Sequence, residues 1–196
     1  MTSRPSVASL AQMVSVMGHP LLTLPLGALV LLVRYETTDR AIGLSALLIG
    51  ALFIPLAVVM YRNQAKGTYT NFDVSDQAQR QRWYWLALSL LTGVSLLVFI
   101  TNQPYLIRIS LACATLLLGT SLLLNLLIKS SLHVSLNTYL ACLLCLFDPQ
   151  AGGLWLALVP LIGWSRYQLG RHTLAELMVG GMLGLSAGGL FLFLAQ

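Results

Sequence analysis

Trp83-Tyr84-Trp85-Leu-Ala-Leu-Ser-Leu-Leu-Thr-Gly-Val-Ser-Leu-Leu-Val-Phe-Ile-Thr101 carries no charge along its length and opens on three aromatic residues. About 20 apolar residues cross the hydrocarbon core of a bilayer as a helix, and Trp and Tyr gather where such helices meet the head groups. The stretch therefore reads as a membrane segment that starts at an interface. Similar runs occupy residues 17–35, 41–61, 105–128 and 131–147, a shorter one 154–164, and a last one 171–196. The expected fold class is all-α, a polytopic transmembrane helical bundle of about six to seven membrane segments. Residues 1–196 form one membrane-embedded domain in this reading, with residues 1–16 as a polar or interfacial arm and the following run as a retained anchor.

Composition supports the same reading. Of 196 residues, 57% are hydrophobic and 9% charged, and the mean hydropathy is +0.81, outside the range of soluble globular domains. Eleven Lys and Arg oppose six Asp and Glu, and these cations sit in a few connecting loops. No basic run interleaved with aromatics appears, so membrane lipids and anionic head groups are the expected partners and nucleic acid is not. Cys142 and Cys145 form a CxxC inside an apolar run, where small core residues are the simpler reading than redox or metal chemistry.

Polar residues at membrane depth are costly and therefore point to function. Lys129, Ser131 and His133 precede the fifth run; Ser165, Arg166, His172 and Glu176 precede the last. The longest hydrophilic stretch, residues 62–82, holds Lys66, Asp73, Asp76, Arg80 and Arg82 before the third run. These three connections are two crossings apart, so alternation of sides brings them to one membrane face.

His172 and Glu176 are four apart, which on a helix places them within reach. A carboxylate bonded to one imidazole nitrogen fixes the tautomer and raises the basicity of the other, preparing a nucleophile or base. Arg166 offers a fork that matches two phosphoryl oxygens; Lys129 and Arg80 add positive charge. Ser131 fits a helix N-cap with His133 in the first turn, and such an N-terminus favours anions. Two histidines, several cations and a carboxylate suit a phosphate ester.

Ser165-Arg166-Tyr-Gln-Leu-Gly-Arg171-His172-Thr-Leu-Ala-Glu176 resembles the third signature of the type 2 phosphatidic acid phosphatase superfamily, SR-x5-H-x3-D, with Glu in place of Asp. Lys129-Ser-Ser131-Leu132-His133 resembles the second signature, PSGH, with Leu for Gly and no Pro. Asp73-Val-Ser-Asp76-Gln-Ala-Gln-Arg80 is similar to a divergent first signature, K-x6-RP, with Asp73 standing where the family has Lys. The resemblance implies that His172 attacks phosphorus, oriented by Glu176, and that His133 protonates the leaving oxygen. It implies that Arg80, Lys129, Ser131 and Arg166 hold the phosphoryl oxygens, with no metal and no cofactor. Asp73, Asp76, Lys66 and Arg171 are supporting candidates, and Lys129 or Lys66 would replace the missing Lys.

The activity this implies is metal-independent hydrolysis of a lipid phosphate or diphosphate, such as polyprenyl diphosphate, phosphatidic acid or phosphatidylglycerol phosphate. Two other classes stand beside it. Asp73 and Asp76 could hold Mg²⁺ in a membrane transferase, and the same pocket could serve a non-catalytic lipid-phosphate binder or transporter. The resemblance also implies a bacterial or archaeal cell membrane with an extracytoplasmic site. Loop cations point the other way: Arg4, Arg62, Lys66, Arg80, Arg82, Lys129, Arg166 and Arg171 lie on the site's face, Arg34 and Arg40 on the other.

Overall fold

The computed structural model describes residues 6–67 and 77–196. Described residues form helices and turns with no strand, as expected for a membrane bundle. The helices are α1 (Val7–Met17), α2 (Pro20–Tyr35), α3 (Thr38–Ala65), α4 (Gln77–Ile100), α5 (Tyr105–Leu124), α6 (Leu132–Phe147), α7 (Pro149–Gln168) and α8 (Leu174–Leu194).

Local chemistry explains the breaks. Pro20 has no N–H to continue the α1 ladder but fits the first turn of a new helix, so the chain bends by 44° between α1 and α2. His19 caps α2, its Nδ1 accepting from the Leu21 N–H at 3.1 Å. Within α3, Pro55 likewise cannot donate to the preceding turn, and residues Leu48–Phe53 just before it widen into a π-helix. Asn102, at φ +49°, and Pro104 make the α4–α5 turn. Asp148 starts α7 by accepting from the Gln150 and Ala151 N–H groups at 3.1 and 3.0 Å.

α6 is the axis of the fold. From His133 to Cys142 every residue is buried, because α8 lies almost against its backbone. A Cβ on Gly180 would stand 2.7 Å from the Ser131 carbonyl oxygen, one on Gly184 would collide with the Ser135 carbonyl, and one on Gly188 with Cys142. Glycines at spacing four thus let the two backbones meet, the packing expected of small residues between membrane helices. Gly152 touches Cys145 in the same way, so both cysteines of the CxxC, which are free thiols, serve helix packing.

Helix directions alternate. The start of α2, the end of α3, the starts of α4 and α6 and the end of α7 share one end of the bundle. At the other end the Tyr35 hydroxyl donates to the Phe147 carbonyl at 3.3 Å, and that of Tyr105 to the Leu194 carbonyl at 3.1 Å.

The number of segments needs correction. Among the described residues four helices qualify as spans by length and hydropathy, α3, α4, α5 and α8, or up to five if the bent pair α1–α2 is one. α6, with 16 residues, is shorter than a full crossing, and polar residues at both ends dilute α7. Element bounds also shift: the apolar stretch 154–164 is the middle of the longer helix Pro149–Gln168, and the third segment starts upstream of Trp83, which places Arg80 on a helix. Most of the expected N-terminal arm is helix α1, packed on α7 with Ala11 and Ser15 inside.

Candidate active site

Three helix beginnings face one small cavity of about 60 Å³. His19, Pro20 and Leu21 come from the start of α2, Ser130, Leu132 and His133 from the start of α6, and His172 from the residue before the α8 cap. Unpaired N–H groups and the helix dipole make such ends favourable for anions. Arg80 from α4 and Arg166 from the last turn of α7 complete the polar wall; Met60 and Trp83 close the apolar side. One water needs ~10–15 Å³ of such space, so the cavity has room for a group larger than a single water, such as a phosphoryl group.

His172 is held from behind. Its Nδ1–H donates to Glu176 Oε2 at 2.9 Å, leaving Nε2 as the other reactive position. The contact is not the helical-face pairing that the spacing suggests, because His172 precedes the N-cap Thr173. It follows from a capping box: Thr173 Oγ1 accepts from the Glu176 N–H at 3.3 Å, and Glu176 Oε2 from the Thr173 N–H at 3.1 Å. One carboxylate thus caps the helix and orients the imidazole.

His133 is 6% exposed and meets His19 edge to face, ring centroids 4.8 Å apart at 85°. With Nδ1 of His19 accepting from Leu21, a neutral His19 ring carries its proton on Nε2. Asn137, one turn after His133, donates through Nδ2 to the Gly18 carbonyl at 2.9 Å and the His133 carbonyl at 2.7 Å. This fully buried amide ties the α1–α2 break to α6 and so sets His19 against His133. Neither His19 nor Asn137 emerges as a site residue from the sequence reading. The available signal was a histidine directly before a helix-starting proline, an N-cap position.

Arg166 is buried to 2% exposure, and its Nη1 donates to Ser15 Oγ on α1 at 2.6 Å. The N-terminal helix therefore braces the guanidinium. Lys129 Nζ donates to the Arg171 carbonyl at 3.4 Å, and the Arg171 N–H to the Arg166 carbonyl at 3.0 Å. Burial, followed by the charge of Arg80, holds the Lys129 ammonium below the ordinary lysine range; Glu176 opposes this, and Arg166 and Arg171 add to it.

That sign has a measurable consequence. Below its lowered pKa Lys129 is charged and attracts an anion; above it the attraction is lost. Affinity for phosphate ligands is expected to fall with rising pH earlier than an ordinary lysine would give. Lys129→Arg, which stays charged, should move that fall to higher pH in a titration of ligand affinity.

Of the residues expected from sequence, His133, His172, Arg80 and Arg166 line one cavity. Glu176 sits behind His172. Ser131 takes the α6 N-cap position and its N–H donates to the Glu176 carbonyl at 3.3 Å, while the neighbouring Ser130 lines the cavity instead. Lys129 and Arg171 stand beside the cavity rather than on its wall. Lys66 is exposed at the end of α3. Asp73 and Asp76 lie outside the described residues. Among the described residues no group of three or more His, Cys, Asp or Glu side chains is arranged to hold a metal ion.

Comparison with protein-family models, curated proteins and solved structures returns no match. The chemistry of this cavity is what the functional reading rests on.

Proposed function

We propose that the chain is a membrane-embedded lipid phosphatase acting through a phosphohistidine. The observation that carries the reading is the meeting of His133, His172, Arg80 and Arg166 with three helix N-termini around one cavity of about 60 Å³. Anion-favouring ends and guanidinium forks hold a phosphoryl group, and the tethered His172 supplies a nucleophile.

The Nε2 lone pair of His172 attacks phosphorus as the bond to the lipid oxygen breaks. His133, protonated beside the bound phosphate anion, gives its proton to that oxygen, and the lipid alcohol leaves, or the lipid monophosphate when the substrate is a diphosphate. Water then attacks the phosphohistidine, losing a proton to His133; the P–N bond breaks, and inorganic phosphate and free His172 result. Glu176 keeps the His172 proton on Nδ1 and stabilises the charge that develops on the ring. Arg80 and Arg166 stabilise charge on the equatorial oxygens, where fixed donors have their largest effect on phosphoryl transfer. His19, edge-on to His133, restrains the orientation of that ring.

Candidate substrates are polyprenyl diphosphate, phosphatidic acid and phosphatidylglycerol phosphate, with the head group at the interface and the chains in the bilayer. The proposed setting is a bacterial or archaeal cell membrane with the cavity on its extracytoplasmic side.

Purified protein in detergent with excess chelator is expected to release inorganic phosphate from one of these lipids. Loss of activity in chelator, restored by Mg²⁺, would point to the transferase chemistry of Asp73 and Asp76 instead. Binding of lipid phosphate with no release under either condition would mark a binder.

A further inference from the structure

Pro20, Leu21 and Trp83 line not only the polar cavity but also a larger space of about 260 Å³. It runs between α2, α3, α4, α5 and α6. Its lining along α2 begins at Pro20 and ends at Tyr35, so it follows the whole helix of 16 residues, roughly 24 Å at ~1.5 Å per residue.

Three small residues on different helices, Ala28, Ala87 and Ala114, keep this space open. The π-helical turn of α3 contributes Leu48, Leu52 and Phe53 to the wall. Of the polar groups on it, Tyr35, Glu36, Ser110 and Tyr139 are already engaged, and the buried Trp83 indole N–H, at the end shared with the polar cavity, makes no hydrogen bond among the described residues. The Tyr139 hydroxyl donates to the Ser110 carbonyl at 2.6 Å, and Ser110 Oγ donates to the Ile107 carbonyl at 2.9 Å. Water would find little to bond there, and an empty apolar space forfeits the dispersion contacts of a packed interior. An apolar occupant satisfies both conditions.

The two ends define that occupant. One opens on the phosphate-sized cavity through shared side chains. At the other, the Tyr35 and Phe147 rings lie 4.5 Å apart at 33°, joined by the bond from the Tyr35 hydroxyl to the Phe147 carbonyl, with Arg34 5.8 Å from the Tyr35 ring. A volume of about 260 Å³ falls just below the ~300–1,000 Å³ of ordinary small-molecule pockets, enough for one slender chain and too little for two side by side.

We infer that this groove holds a single hydrocarbon chain of the lipid whose phosphate occupies the polar cavity, and that the Tyr35–Phe147 pair sets the length of chain accepted. The inference rests on the reading of the polar cavity as a lipid-phosphate site. A two-chain lipid would place one chain in the groove and leave the other in the bilayer.

The test uses the full chain in detergent with two sets of single-chain probes. Alkyl phosphates of increasing length, kept below their micelle-forming concentrations, should show KM falling ~2–4-fold per added methylene and levelling once the chain reaches Tyr35–Phe147. Ala28→Phe and Ala114→Phe should make short- and long-chain KM values converge, and Tyr35→Ala should move the levelling to longer chains. A non-hydrolysable alkyl phosphonate with a terminal diazirine should label residues near Tyr35 and Phe147, and Ala28→Phe should abolish that label.

Labelling confined to lipid-facing residues such as Met178 and Leu185, with KM indifferent to both alanine substitutions, would overturn the groove while leaving the phosphatase reading intact if phosphate is still released. Labelling at Tyr35 and Phe147 without phosphate release from any alkyl phosphate would uphold the groove as a chain site and remove the phosphatase reading.

Discussion

His172→Ala is expected to reduce phosphate release by a factor of ~10⁴ or more, the scale seen when a nucleophile acting as part of a catalytic unit is removed. The His172 Nδ1 bonds Glu176, and the capping box survives loss of the ring because Thr173 and Glu176 bond each other directly through backbone and side chain. The variant should therefore fold, with a thermal midpoint close to that of the parent, and still bind lipid phosphate through Arg80, Arg166 and the helix ends. Glu176→Gln provides the graded comparison: the ring remains but loses its charged partner, so activity should fall less than in His172→Ala. Turnover by His172→Ala near the parent rate would remove the nucleophile from the account.

Gly184→Leu is expected to damage stability and activity together. The added Cβ would overlap the Ser135 carbonyl and stand 2.7 Å from Thr138 Cβ, and a backbone carbonyl cannot swing aside as a flexible side chain can. Overpacking of this kind costs ~1–3 kcal/mol and sometimes more. Near ~3 kcal/mol it should lower the thermal midpoint by roughly 6–12 °C for a chain of this size. Activity should fall further than stability alone requires, because pushing α8 from α6 breaks the bond from the Ser131 N–H to the Glu176 carbonyl and draws His172 from His133. Gly189→Leu is the control. A Cβ there meets nothing within 4 Å, and both midpoint and activity should be nearly unchanged.

What was legible in the sequence follows from contrast. His133, Arg166 and His172 are conspicuous because a bilayer tolerates ionisable groups poorly, and alternation of helix direction, which holds even though α6 and α7 are not full crossings, brings their loops together. Arg80 arrives at the cavity for the same reason, although it sits on a helix rather than in the long polar loop where the sequence reading leaves it. His19 was hidden by its neighbour: beside Pro20 it explains a kink, and its arrival at the cavity depends on a bend direction fixed by Asn137, far away in the chain.

The apolar groove lay beyond reach for another reason. Helices that are apolar on all sides give no amphipathic stripe to say which face turns inward, so which leucines line a space and which meet lipid is decided only when the helices pack. The same ambiguity inflated the number of spans, since a run such as 131–147 reads as a crossing by its hydropathy although it is short. Its residues from His133 to Cys142 are buried by neighbouring helices, not by lipid.

The central claim is that His172 carries the phosphoryl group. The most direct measurement is to quench the purified protein during turnover of a lipid substrate labelled in its phosphate, at alkaline pH where a phosphohistidine survives, and to locate the label by peptide mapping. The account predicts label on the peptide containing His172, absent in His172→Ala. Release of phosphate with no protein-bound label, or label on any other residue, would contradict it.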